Sequence, residues 1–400
     1  MKIFATCSTV FRLAIGLVMG LAGAAAAQDV YPAVGDGPYV AVAADGWRAD
    51  LVGVDGHVSR IDVVEGMVTV SAVGSAPSFE VALRPPPQAA PSIEPLAAGV
   101  PLLVVADAHG EYAILVAFLK AQGVIDGQLR WTFGTGHLAV TGDMLDRGAH
   151  QIEILWLLYK LEAEARAAGG GLHVVIGNHE ALVLRGDQRY LNPRYLEVAS
   201  RLGVAEYAQL LGPQTVLGAW LRSRPAMLKL GDLLIVHGGV SHPLTESALD
   251  LDAVNAIARR YLDVPYAVKP PAGSPEALVL GENGPLWYRG YFPVGDRAPV
   301  ATTADVMASL ERFGVSRILV GHTVVDRVSA LYGGKVIAVQ VYPHQDGTTG
   351  EPILEGALRL EGVWFRVTAQ GERLPHPCVQ YTIDTSSVSR RICCPEARVC

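Results

Sequence analysis

The sequence predicts an α/β fold with a mainly parallel central sheet, preceded by a small β domain and followed by more strands. Through the middle of the chain, short runs of Val, Leu and Ile are each followed by a glycine-containing turn and an amphipathic helical stretch. Strands that alternate with helices in this way are typical of parallel sheets. On both sides of this region, β-type alternation replaces the helical stretches. Half of the 400 residues are hydrophobic, which is enough for one large domain and small additions.

The N-terminal residues predict a secretory signal peptide, residues 1–27. Lys2 and Arg12 precede an apolar stretch at 13–27, and small residues at 25–27 fit a cleavage site before Gln28. An uncleaved membrane anchor is the alternative, but the stretch is shorter than the roughly 20 residues that a span needs. We therefore expect a periplasmic or secreted protein without stable membrane association after cleavage.

Residues 28–84 predict the small β domain. They are rich in Val and Gly, and Asp-Gly pairs at 45–46 and 55–56 mark turns between short strands. Three consecutive prolines at 85–87 begin a Pro/Ala linker, residues 85–98, which we expect to be stiff.

The α/β domain is predicted at 99–343. Its apolar runs predict strands at 102–106, 138–141, 172–176, 233–236 and 318–320. Helices are predicted after the first two strands, at about 111–122 and 151–168. Residues 187–224 interrupt this rhythm with Tyr, Pro and helical stretches, and we interpret them as an insertion over the site.

Residues 344–400 predict further strands and a cysteine-rich tail. Once the signal peptide and its Cys7 are removed, the remaining cysteines are Cys378, Cys393, Cys394 and Cys400. In an oxidising compartment this clustering indicates a disulfide-bonded tail, for which three pairings are possible. A zinc site made of the four thiolates is the alternative.

The net charge argues against a nucleic-acid partner. Removing Lys2 and Arg12 from the 32 basic residues leaves 30 against 39 acidic residues, a charge of −9. Binding to DNA or RNA depends on a cationic surface that neutralises phosphates.

Residues with metal-binding side chains follow each of the five predicted strands. Open α/β sheets bind ligands at the carboxyl ends of their strands, so we expect these residues to meet. Each motif alone is also a common turn or helix cap, but five such coincidences are hard to explain as turns. The motifs are Asp107-Ala108-His109, GDMLDRG with Asp143, Asp146 and Arg147, GNHE with Asn178, His179 and Glu180, His237-Gly238-Gly239, and Gly321-His322.

These ligand types fit a pair of divalent metal ions. Carboxylate, amide and imidazole ligands without thiolate suit manganese, iron or zinc. Two such ions about 3.5–4 Å apart can hold a bridging hydroxide and stabilise the attacking and leaving oxygens of a displacement at phosphorus. The pair needs a bridging carboxylate, and Asp143 is central enough to provide it.

The motif series resembles the calcineurin-like metallophosphoesterases, and GDMLDRG with GNHE is similar to their phosphoprotein phosphatase branch. The stretches GNHEALVLRGDQRYLNPRY and GPLWYRGY resemble the Shewanella-like phosphatases of that branch. The resemblance covers about residues 102–341. It implies a β-sandwich flanked by helices, to which the small N-terminal β domain is added.

The resemblance also implies a role for each motif residue. The implied ligands are Asp107, His109 and Asp143 for the first metal, and Asp143, Asn178, His237 and His322 for the second. His179 would protonate the leaving oxygen, and Asp146 would orient His179. Arg147 and Arg289 would bind the phosphoryl oxygens, for which planar guanidinium groups are well suited.

The chain departs from the family pattern in two places. Ala106 stands where the family usually has Gly before Asp-x-His, a change that we expect only to tighten the strand end. Many broader metallophosphoesterases end in Gly-His-x-His, whereas this chain has Val324 after Thr323. The first metal therefore has few protein ligands, and this favours the phosphoprotein phosphatase branch over nucleases and cyclic-nucleotide phosphodiesterases.

We therefore expect a two-metal phosphatase that hydrolyses phosphate monoesters, with protein phosphotyrosine or phosphoserine and phosphothreonine as substrates. A hydrolase of nucleotides or diadenosine polyphosphates is the enzyme alternative. A metal-dependent binding protein without turnover is the alternative from another class, although such a protein has no need for a proton donor at His179.

Overall fold

The computed structural model describes residues 35–293 except residue 45, residues 300–375, and the backbone of residues 378–384 and 387–393. The predicted signal peptide, Cys394 and Cys400 lie outside the described residues, as do the side chains of Cys378 and Cys393. The signal peptide and the disulfide-bonded tail therefore stay predictions. No helix within these described ranges is both long and apolar enough to span a membrane.

Strands and helices alternate in the middle of the chain, and strands dominate both ends. Over the described residues the strands are β1 (Asp36–Ala43), β2 (Gly46–Val52), β3 (Val58–Asp62), β4 (Met67–Val70), β5 (Phe79–Ala82), β6 (Ile93–Glu94), β7 (Leu102–Val105), β8 (His137–Val140), β9 (Gly171–Val174), β10 (Met227–Leu230), β11 (Leu233–Val236), β12 (Arg317–Val320), β13 (Ser329–Leu331), β14 (Val336–Ala338), β15 (His344–Gln345), β16 (Pro352–Ile353), β17 (Glu355–Leu360), β18 (Val363–Thr368), β19 (Arg373–Pro375), β20 (Cys378–Asp384) and β21 (Ser387–Cys393).

The helices of the same residues include both that the sequence predicts. They are α1 (Tyr112–Ala121), α2 (Gln151–Ala167), α3 (Asn178–Leu184), α4 (Pro193–Leu202), α5 (Val216–Ser223), α6 (His242–Glu246), α7 (Leu251–Tyr261), α8 (Pro275–Leu280) and α9 (Thr303–Phe313), with short 3₁₀ helices at Tyr207–Leu211 and Tyr332–Gly334. The five predicted strands are also present, with bounds within two residues of the prediction.

Two large sheets form the centre of the fold. The first has the order β19-β18-β17-β7-β8-β9, and the second the order β21-β20-β13-β14-β12-β11-β10-β6. Strands β7, β8 and β9 run parallel, as do β11, β12 and β14. The central pairing is thus largely parallel, as predicted, and antiparallel strands complete both sheets.

The two sheets pack face to face with helices outside. Along β7, Leu102 and Val104 belong to a buried cluster that also contains Ile235 of the other sheet. Leu103 and Val105 point the other way, into the core shared with the helices. This alternation follows from the two-residue period of a strand, and burying each such side chain contributes about 1.5–3 kcal/mol. The predicted fold class, a β-sandwich flanked by helices, is confirmed.

The strands of the predicted N-terminal β domain form two small antiparallel sheets, β1-β2-β3 and β4-β5. Tyr39 and Val40 of β1 are buried in the same core as α2. The indole N–H of Trp156 on α2 donates to the carbonyl of Pro38 at 2.9 Å. These strands therefore pack directly on the α/β part, while the bounds 28–84 stay a prediction.

Two segments outside the predicted α/β domain contribute strands to its sheets. Strand β6 lies in the predicted linker and pairs with β10, and β17 of the predicted C-terminal segment pairs with β7. Such pairing depends on contacts between distant parts of the chain, which local sequence patterns do not contain.

The predicted insertion at 187–224 contains α4 and α5. At its start, the ring of Tyr190 lies 5.2 Å from the ring of His179. Helix α5 instead packs against α2 and β1. The start of the insertion therefore borders the candidate site.

Candidate active site

The structure brings the predicted motif residues to the carboxyl ends of strands from both sheets. Asp107 and Asp143 follow β7 and β8, while His237 and His322 follow β11 and β12. The segments after β7 and β12 approach each other so closely that a Cβ atom on Gly321 would lie 2.6 Å from Oδ1 of Asp107. The two sheets thus place their ligands in one buried centre.

Asp143 is the carboxylate that these residues share. Its Oδ2 atom lies 3.1 Å from Nε2 of His237 and 3.8 Å from Nε2 of both His109 and His179. Two sets of ligand atoms are close enough to hold one metal ion each, His109 with Asp143 and His179, and Asp143 with His237 and His322. Because Asp143 belongs to both sets, its position suits the bridging role that the resemblance implies.

Asp107 and Asn178 lie beside the same histidines. Asp107 Oδ1 is 3.8 Å from Nδ1 of His237, and the Asp107 carboxylate accepts the main-chain N–H of His322 at 3.1 Å. Asn178 Oδ1 is 2.9 Å from Nε2 of His237. All six predicted ligands are therefore close together and buried.

Main-chain carbonyls orient two of the histidine rings. His109 donates from Nδ1 to the carbonyl of Leu145 at 2.9 Å, and His237 donates from Nδ1 to the carbonyl of Thr141 at 2.8 Å. A carbonyl can only accept, so Nδ1 carries the proton and Nε2 is available to a metal. His322 Nε2 is buried without a hydrogen-bond partner, and a metal ion would satisfy it.

The electrostatics of the centre also fit a cation. Burial raises the pKa of the Asp107 carboxyl to about 7. Burial opposes a charged ring at His237, yet Asp143 and Asp107 outweigh it and raise the pKa of His237 to about 9. At His109, where burial dominates, the pKa falls to about 4. The buried carboxylates therefore favour positive charge at His237, and divalent cations are attracted to such a site.

Several site residues have a strained backbone. The left-handed conformation, with positive φ, costs a non-glycine residue of order 1–3 kcal/mol and persists only where surrounding contacts impose it. The site residues with positive φ are His109 (42°), Asp143 (53°), Asp146 (68°), Arg147 (70°) and His322 (62°). Their concentration here is typical of a functional site.

His179 lies at the start of a helix, as the second residue of α3. Its Nδ1 donates to Oδ2 of Asp146 at 2.6 Å, so its Nε2 is free to face the centre. Burial lowers the pKa of His179, but Asp143 and Asp146 together raise it above the ordinary value. A ring with a raised pKa and a fixed orientation suits a proton donor.

Glu180 is the residue to which sequence reasoning assigned no role. Its two oxygens accept the main-chain N–H groups of Gly177 (2.8 Å), Asp143 (2.8 Å), Met144 (2.7 Å) and Leu145 (3.0 Å). The carboxylate therefore joins the loop after β8 to the first turn of α3. A Glu three residues after a helix-capping position is a capping-box signal, which could have identified both the helix start and this role.

Glu180→Gln should lower both the melting temperature and kcat/KM. The glutamine amide would place N–H donors opposite two of the four main-chain N–H groups, and each buried donor left unpaired costs about 1–3 kcal/mol. Thermal unfolding and steady-state kinetics would measure the two effects. Glu197→Gln, on the exposed side of α4, is the matched control and should change neither. A Glu180→Gln variant with wild-type stability would contradict the role of Glu180.

Two arginines lie at the mouth of the centre. Arg289 donates from Nη1 to the carbonyl of His322 at 3.1 Å and to the hydroxyl of Thr323 at 3.3 Å. The guanidinium carbon of Arg147 lies 5.5 Å from the ring centroid of Tyr342. The hydrogen bonds of Arg289 use only its Nη1 atom, so this guanidinium has further N–H groups to offer a phosphate.

Metal-dependent phosphoesterases are the class of protein that this sandwich and this arrangement of ligands define. Residues 100–326 match the family model for calcineurin-like phosphoesterases. That range is more than half of the chain, so the chain belongs to the calcineurin-like phosphoesterase family.

Two similar proteins are Shewanella-like protein phosphatases. The chain is 26% identical over 305 residues to Shewanella-like protein phosphatase 2 of Arabidopsis thaliana, covering 66% of this chain and 76% of the relative. It is 25% identical to Shewanella-like protein phosphatase 1 of Plasmodium berghei (strain Anka), covering 56% and 60%.

A solved structure is also similar, that of a cold-active protein-tyrosine phosphatase from a psychrophilic Shewanella species. It is 33% identical, with a TM-score of 0.74, over 85% of this chain and 98% of that chain. The chain is therefore a metal-dependent phosphatase of the Shewanella-like type, and the resemblance noted in the sequence is confirmed.

Proposed function

We propose that this phosphatase uses two metal ions to hydrolyse phosphate monoesters on protein side chains, with phosphotyrosine preferred. The observation that carries the two-metal proposal is the central position of the Asp143 carboxylate, whose Oδ2 atom lies 3.8 Å from Nε2 of His109 and 3.1 Å from Nε2 of His237. When bound, the two ions would lower the pKa of water, so that it can attack phosphorus, and neutralise charge on the phosphoryl oxygens. Manganese, iron or zinc would suit these ligands.

The remaining site residues supply binding and proton transfer. Arg147 and Arg289 hold the phosphoryl oxygens with paired N–H donors. His179 gives its Nε2 proton to the departing oxygen, and Asp146 holds the ring in place through Nδ1. The residues proposed to hold the metals are Asp107, His109, Asp143, Asn178, His237 and His322.

Aromatic rings around the centre support the preference for phosphotyrosine. Tyr342 lies 5.9 Å from the ring of His109, Trp287 lies 6.0 Å from the ring of His322, and Tyr190 borders His179 at 5.2 Å. Such walls can stack on the phenol of the leaving group. The similar solved structure is that of a protein-tyrosine phosphatase.

A substrate panel tests this proposal. The purified chain would be loaded with manganese, iron or zinc and assayed with matched peptides that carry phosphotyrosine, phosphoserine or phosphothreonine. The same assays would include nucleotides and diadenosine tetraphosphate. We expect the phosphotyrosine peptides to have the highest kcat/KM. Faster turnover of the nucleotides would favour the nucleotide hydrolase, and metal binding without turnover of any substrate would favour the binding protein.

We also propose that the protein is exported to the periplasm or secreted. The apolar stretch at 13–27 and the small residues before Gln28 support this proposal. N-terminal sequencing of the protein purified from its natural compartment should identify Gln28, or a residue close to it, as the first residue. A mature chain that still begins at Met1 would indicate a membrane anchor instead.

A further inference from the structure

A short segment of the insertion holds both main-chain groups of Arg147. The Arg147 N–H donates to the carbonyl of Tyr190 at 3.0 Å. The Arg147 carbonyl accepts a hydrogen bond from Nδ2 of Asn192 at 2.7 Å. We call residues 190–195, which include the first residues of α4, the bracing turn.

The bracing turn also holds the end of the loop that leads into α2. The hydroxyl of Tyr195 accepts the N–H of Gln151 at 2.7 Å and donates to the carbonyl of Ala149 at 2.9 Å. Tyr195 is fully buried. Four hydrogen bonds thus join residues 147–151 to the bracing turn, although more than 40 residues separate the two segments in sequence.

The N-terminal strand in turn holds the bracing turn. Arg194 donates to the carbonyl of Gly35, and its guanidinium lies 3.4 Å from Oδ1 of Asp36. The side chain of Asp36 is completely buried. The bracing turn is therefore held between residues 147–151 and β1.

We infer that Asn192 is a positioning residue, which holds the main chain of Arg147 so that its guanidinium faces the phosphate. This inference rests on the proposed function, since that function assigns Arg147 to phosphate binding. Arg147 and Asp146 both have the left-handed conformation (φ 70° and 68°), which must be imposed by neighbouring contacts. The side chain of Arg147 is exposed, so its direction depends on its backbone.

Asn192 allows this role to be separated from helix stability. Its Oδ1 atom accepts the N–H of Arg194 at 3.1 Å and caps α4, while its Nδ2 atom bonds Arg147. Asn192→Asp keeps the cap, because a carboxylate is a good acceptor at a helix N-terminus. It has no N–H to donate, so it would face the Arg147 carbonyl with a second acceptor.

Asn192→Asp should therefore lower kcat/KM for p-nitrophenyl phosphate about tenfold, the usual effect of losing one well-formed hydrogen bond. The inhibition constant of inorganic phosphate should rise by a similar factor, while the metal content stays at the wild-type value and the melting temperature falls by no more than the few degrees that one lost hydrogen bond costs. Ser274→Asp is the matched control, since Ser274 caps α8, and it should leave activity unchanged. Asn192→Ser is the second variant if the Asp variant folds poorly. Serine also caps a helix, but its shorter side chain cannot donate to the carbonyl of Arg147.

A double-mutant cycle with Arg147→Ala tests whether Asn192 acts through Arg147. In the Arg147→Ala background, Asn192→Asp should cause no further loss, because the residue that it positions is gone. Equal losses in both backgrounds, or wild-type phosphate inhibition in Asn192→Asp, would overturn the inference while leaving the proposed function intact. A wild-type chain that binds metal but hydrolyses neither p-nitrophenyl phosphate nor phosphopeptides would overturn the proposed function itself.

Discussion

Asp143→Asn should cost the protein both metal ions and roughly 10³–10⁵ in turnover, because metal ions supply several kcal/mol of transition-state stabilisation. Asp143 belongs to both sets of ligand atoms, and its Oδ2 atom lies 3.1 Å from Nε2 of His237. Asparagine tolerates the left-handed backbone of this position, φ 53°. The substitution therefore removes the shared charge without adding backbone strain.

Metal content per chain and kcat for p-nitrophenyl phosphate would measure the two losses. Asp126→Asn is the matched control, because Asp126 binds only Arg130 and nearby main chain on an exposed turn. It should keep both ions and full activity. An Asp143→Asn variant with two metals per chain and normal turnover would show that Asp143 is not the shared ligand.

His179→Asn should leave both metals bound and slow turnover by roughly 10²–10⁴, the usual contribution of a positioned general acid. The ring is held by Asp146 through Nδ1, so the variant removes the proton at Nε2. The loss should be largest for tyrosine and serine phosphates, whose leaving oxygens need a proton. It should be small for an aryl phosphate whose phenol is strongly acidic.

A series of aryl phosphates that differ only in the acidity of the phenol would make this comparison, with metal content measured in parallel. Asp146→Asn serves as the companion variant and should show the same dependence with a smaller loss, since it leaves the ring in place but less well oriented. Losses of equal size across the series would refute the proton-donor role. Loss of a metal ion in the variant would instead show that His179 is a metal ligand. Its Nε2 atom lies 3.8 Å from Oδ2 of Asp143, which is close enough for both atoms to bind one ion.

The positions of the central strands and of the site motifs could be predicted from the sequence. Each strand is a short apolar run, and each motif begins at or within a few residues of the end of such a run, as Asp107 follows β7 and His237 follows β11. Hydrophobic period, turn glycines and polar residues at strand ends are local properties. Because parallel strands align their carboxyl ends, these local signals also predicted that the ligands of one sheet would meet. The approach of the two sheets, which brings Asp143 to His237, depends on their packing.

The contacts that orient the site depended on packing between distant segments. Glu180 binds main-chain groups more than 30 residues away, and Asn192 reaches Arg147 across 45 residues. The order of the sheets, which places β6 and β17 beside β10 and β7, is likewise a matter of long-range pairing. A hydrogen bond between such segments forms only when the fold brings them together, so it cannot be predicted from local hydrophobic periodicity or motif spacing. The same packing imposes the left-handed backbone at Asp143 and Arg147, which the residue types do not favour on their own.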